Sequence, residues 1–120
     1  MNKYFGMFDD RTDVARKFQM VEDRWKEPMV IHASFPTEDQ ILFASYDTPS
    51  YEGDAFVLLK IDGVLYEVHG SHCSCYGLED QWDPEETTIE ALRMRPRDET
   101  LLYCHDQDAR DAYWAVIDSM

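Results

Sequence analysis

Long apolar runs are missing from this chain, and so is any surplus of positive charge. No stretch of the 120 residues is long and apolar enough to span a bilayer. The apolar start over residues 1–8 is interrupted by Asp9 and Asp10 before it reaches the ~7–15 residues of a secretory apolar region. The chain is therefore expected to be soluble and to stay in the compartment that makes it. Cysteine is scarce. Its three residues are an odd number, two of them separated by a single residue, which is no disulfide framework and fits a reducing cytoplasm. Lys and Arg total 11 against 25 Asp and Glu, a formal net charge of −14. Such a field repels nucleic acid and anionic lipid, so direct docking on either is not expected, and basic protein partners are favoured. Also missing are a glycine-rich phosphate loop, a metalloprotease motif, a paired basic and aromatic platform, internal repeats and low-complexity tracts. Without a recognisable catalytic set, an enzyme is the less favoured class.

What is present is aromatic and acidic. Three Trp, seven Tyr and six Phe supply material for one packed core, and residues 1–120 read as a single domain. Val14, Phe18, Val21 and Trp25 recur at helical spacing and predict an amphipathic helix from Asp10 or Thr12 to about Lys26, ended by Pro28. Met29, Ile31, Ala33 and Phe35 alternate with wetter positions, the pattern of a strand, and residues 36–39 close it as a turn. Residues 41–46 predict a second strand. Residues 55–61, apolar on both faces apart from Lys60, predict a central covered one. Asp62-Gly63 suits the positive φ angles of a two-residue hairpin turn, and residues 64–69 form the returning strand.

Asp83-Pro84-Glu85-Glu86 reads as a helix start, with Asp83 as N-cap and Pro84 at the first helical position; Ile89 and Leu92 give that helix an apolar face, and Pro96 stops it. Residues 101–104 read as a short strand. Ala109, Ala112, Tyr113, Val116, Ile117 and Met120 mark the stripe of a C-terminal helix. The expected fold is α+β: an antiparallel meander of three to five strands, packed on one face by an N-terminal, a middle and a C-terminal helix.

Two features carry chemistry. The first is His69-Gly70-Ser71-His72-Cys73-Ser74-Cys75 at the exit of the predicted hairpin. In an extended backbone His69, Ser71, Cys73 and Cys75 point to one side, so two thiolates and an imidazole can meet one ion. Zinc is the metal such donors suit, and Cys104 or His105 would complete a tetrahedral set. The alternative needs no cofactor: Cys73 and Cys75 are small, partly buried loop residues, with His69 and His72 bonding to loop backbone. A nucleophilic Cys73 would need a thiolate favoured by His72, His69 or a following helix N-terminus, but no oxyanion donor or orienting carboxylate marks the site.

The second feature is an acidic belt. Residues 27–92 hold fourteen Asp or Glu and one basic residue, Lys60, so nearly all of the net charge falls there. Its members include Glu38, Asp39, Asp47, Glu52, Asp54, Glu67, Glu79, Asp80, Asp83, Glu85 and Glu86. Carboxylates spread along a surface imitate a row of phosphates and are steered toward a basic groove, with exposed Tyr76 and Trp82 as aromatic anchors. The plainer reading is a solvated face that keeps the protein dispersed.

The segments 51–56, 70–82 and 84–88, above all His72-Cys73-Ser74-Cys75-Tyr76-Gly77-Leu78-Glu79, resemble a family of short proteins encoded by tailed bacteriophages and prophages. The resemblance covers residues 51–95 and carries no established activity. It implies a small accessory protein made in the cytoplasm of a bacterial host. Taken together, these readings favour a protein that binds and modulates or inhibits a host protein with a basic, nucleic-acid-handling or defence-related surface. The partner-binding candidates are Glu52, Asp54, Tyr76, Glu79, Asp80, Trp82, Asp83, Glu85 and Glu86; the metal candidates are His69, Cys73, Cys75 and Cys104. The rival readings are a small metal-binding or thiol-dependent enzyme centred on Cys73 and Cys75, and a virion structural or assembly protein.

Overall fold

In the computed structural model the described residues are 3–22, 30–47, 53–72, 78, 81–95 and 107–120. They form an α+β fold built on a mixed five-stranded sheet of order β1-β2-β3-β4-β5. The strands are β1 (Tyr4–Gly6), β2 (Ile41–Asp47), β3 (Gly53–Ile61), β4 (Val64–His72) and β5 (Glu85–Thr87). The helices are α1 (Arg11–Lys17), α2 (Ile89–Arg93) and α3 (Gln107–Ser119). None of these helices is long and apolar enough to cross a membrane.

The sheet grows from one hairpin. β3 and β4 pair antiparallel over their whole length, from Ile61 opposite Val64 to Gly53 opposite His72. Asp62 (φ 53°) and Gly63 (φ 82°) make the left-handed turn between them, as the Asp-Gly pair predicts. β2 and β5 then flank the hairpin, both antiparallel. β1 has no counterpart among the expected elements and runs parallel to β2, Tyr4 opposite Ala44. Parallel neighbours need a crossover of about a dozen residues or more, and the stretch from Gly6 to Ile41, which carries α1, supplies it.

Helices cover both faces of the sheet rather than the one expected. On β3, Ala55, Val57 and Leu59 enter the core shared with α1, whereas Phe56 and Leu58 enter the core shared with α2 and α3. A strand apolar on both faces over residues 55–59 leaves neither face for water, so two layers must cover it. A bulge in β2 fits that strand to both layers. Leu59 pairs with Ile41 and Leu58 with Phe43, so Leu42 is the extra residue. Ile41 and Ala44 consequently reach the α1 side, while Leu42 and Phe43 both reach the other.

Three expected elements are corrected. The N-terminal helix starts within its expected range, capped by Asp10, whose carboxylate accepts from the Asp13 amide, but it ends at Lys17. Gln19 takes a left-handed φ of 58°, Met20 N–H donates to Ala15 O at 2.8 Å and Gln19 N–H to Arg16 O at 3.0 Å. That paired closure is a Schellman stop with glutamine where glycine is usual. Of the strand expected from Met29 to Phe35, the described residues from Val30 on hold a single bridge, Val21 opposite Ile31, before the chain turns at His32 to Phe35. The helix expected from Asp83 starts at Ile89, with the Thr88 hydroxyl accepting from the Ala91 amide; residues 85–87 are instead β5. α3 matches its expected stripe, widened by buried Trp114. The strand expected over residues 101–104 lies outside the described residues.

Gly6 sits at φ 68°, and a Cβ there would stand 2.1 Å from Tyr46 O. Gly63 shares the left-handed backbone but faces open space. Gly63→Ala is therefore expected to cost about 1 kcal/mol and Gly6→Ala at least about twice that, read as the shift in urea midpoint at constant slope. Equal shifts would mean that β1 is not held against β2 by this close approach.

Candidate functional site

Along β4, Leu65, Glu67, His69 and Ser71 share the face turned toward α2 and α3, because strand side chains alternate. Glu67 stands opposite Leu58 of β3 and Glu85 of β5, and it is 5% exposed. A carboxylate so placed loses its water and must be answered by charge. Arg95, just beyond α2, answers it with a two-armed guanidinium: Nη2 donates to Oε2 at 2.7 Å and Nη1 to Oε1. His69 Nε2 lies 3.2 Å from the same Oε1. The ring of His69 also meets Phe56 edge-on, with centroids 5.1 Å apart, and Phe56 meets Tyr113 of α3 at 5.5 Å.

Burial alone would raise the Glu67 pKa. The hydrogen bonds and charges of His69 and Arg95 outweigh it and hold the carboxyl down at about 2. The Glu67 hydrogen bond in turn raises Arg95. Burial pushes the Tyr113 phenol up to about 12, against the nearby Arg95 charge, and its hydroxyl finds no partner at bonding geometry among the described residues. Chemically the cluster is a fixed carboxylate with one exposed imidazole, its side chain 59% accessible, at its edge.

A second construction fixes the neck of the cysteine-bearing loop. Ser71 N–H donates to Gln81 Oε1, and Gln81 Nε2 donates to Ser71 O, both at 2.7 Å. Leu78 is 1% exposed in the α1-side core. Trp82, expected as an exposed anchor, is half-buried instead; its ring packs on Phe18 (5.0 Å) and Phe35 (4.8 Å).

The structure brings His69 and Glu67 together, a contact that a surface reading of Glu67 missed. Asp54 lies half-buried opposite Asp47 at one end of the sheet, and Asp83, Glu85 and Glu86 lie exposed along or just before the β5 edge. Glu52, Cys73, Cys75, Tyr76, Glu79, Asp80 and Cys104 lie outside the described residues. Among the described residues no group of three His, Cys, Asp or Glu is placed to hold a metal ion. Arg95 and Tyr113 were not among the expected site residues. Comparison with known protein families, curated proteins and solved structures finds no match to this chain.

Removing one partner of a buried ion pair strands the other. Arg95→Met should cost about 3–5 kcal/mol, whereas the joint change with Glu67→Leu should recover most of that loss. Additive losses in urea unfolding would refute the coupling. The depressed Glu67 pKa also fixes a sign. Its contribution, roughly 3 kcal/mol, is complete above the unfolded value of 4.5 and is lost as pH falls toward 2. The stability difference between the native chain and Glu67→Gln should shrink over that window; a difference independent of pH would remove the ionised pair. At the loop neck, Gln81→Ala should cost about 1 kcal/mol and speed amide exchange at Ser71. Unchanged exchange would leave the clasp without weight.

Proposed function

We propose that this chain is a small acidic accessory protein, phage-encoded and acting in the cytoplasm of a bacterial host, that binds a host protein with a basic, nucleic-acid-handling or defence-related surface and modulates or inhibits it. One observation carries the reading. Asp83, Glu85, Glu86 and Glu90 lie exposed on or beside the β5 edge and make no ion pair or side-chain hydrogen bond among the described residues. Three acids elsewhere are answered, Glu38 by Lys3 at 3.3 Å and by the Tyr4 hydroxyl, Asp13 by Arg16, and Glu67 by Arg95, whereas Asp9, Glu22 and Asp39 are exposed and unpaired among the described residues but do not belong to the β5 segment.

Glu85 and Glu86 project to opposite sides of the edge strand, so the negative field straddles it. An unanswered field of one sign steers a cationic surface toward it and fixes the encounter geometry. A short, charged edge also discourages strand addition by other copies. The two roles separate by experiment.

Capture from bacterial lysate, read by mass spectrometry, is expected to retain a protein with a basic surface, released as salt rises. With that protein purified, Asp83→Lys, Glu85→Lys and Glu86→Lys together should slow association about tenfold or more. Asp9→Lys, Glu22→Lys and Asp39→Lys alter the net charge equally and should leave the rate within about twofold. Equal slowing by both sets, or binding indifferent to salt, would overturn the proposal.

A further inference from the structure

We draw no further inference here: the strongest candidate, the exposed His69 imidazole on β4 held through Nε2 by the buried Glu67 carboxylate, belongs to the site already described, and among the described residues no group of three metal-ligating side chains includes it.

Discussion

A carboxylate set within a sheet and left almost without water must be answered by charge, and the tie between Glu67 and Arg95 follows from that. The tie is more than a local contact. Arg95 follows β5 and α2 directly in the chain, so its guanidinium ties them back onto β4. Tyr113 brings α3 against the same pair through Phe56 and Phe43. Three elements distant in sequence therefore converge on one charge. An apolar residue at position 67 would fill the volume, but it would not require Arg95 to be there, and the pair can in this way specify arrangement at little net gain in stability.

The hairpin, the central strand and the C-terminal helix were legible because their signals are local. Asp62-Gly63 sets its own backbone, residues 55–61 are apolar at nearly every position, and the stripe from Ala109 to Ile117 keeps one helical period. The errors arise where the deciding contact is remote. Phe18 and Val21 satisfy a helical spacing and are indeed packed inward, yet a left-handed Gln19 separates them, and no glycine announces the break. The Asp-Pro-Glu-Glu sequence has the residues of a helix start, but pairing with β4 holds it extended. β1 spans three residues, too few to show a period, and its partner lies far along the chain.

The candidate site divides the same way. Negative charge is visible in composition, but which carboxylates are answered is not. Glu67 looks like any member of the acidic belt until β3 and β5 enclose it, and its guanidinium partner lies 28 residues away with no motif linking them. Glu38 likewise loses its freedom to Lys3 and Tyr4. Folding thus answers some acids, Glu38 and Glu67 among them, and leaves others exposed without a partner among the described residues, Asp83, Glu85, Glu86 and Glu90 on or beside the β5 edge and Asp9, Glu22 and Asp39 elsewhere.

The parallel β1 has a consequence for the order of assembly. β3 and β4 are joined by two residues and can zip as soon as both exist, whereas β1 leaves the ribosome first and waits roughly forty residues for β2. Closing that span costs far more chain freedom than closing the hairpin, so the expected sequence is a nucleus at β3 and β4, extension to β2, and late docking of the N-terminal strand. Until then the outer rim of β2 is bare, and a nascent chain carries its temporary stickiness there, on the side of the sheet away from the acidic edge.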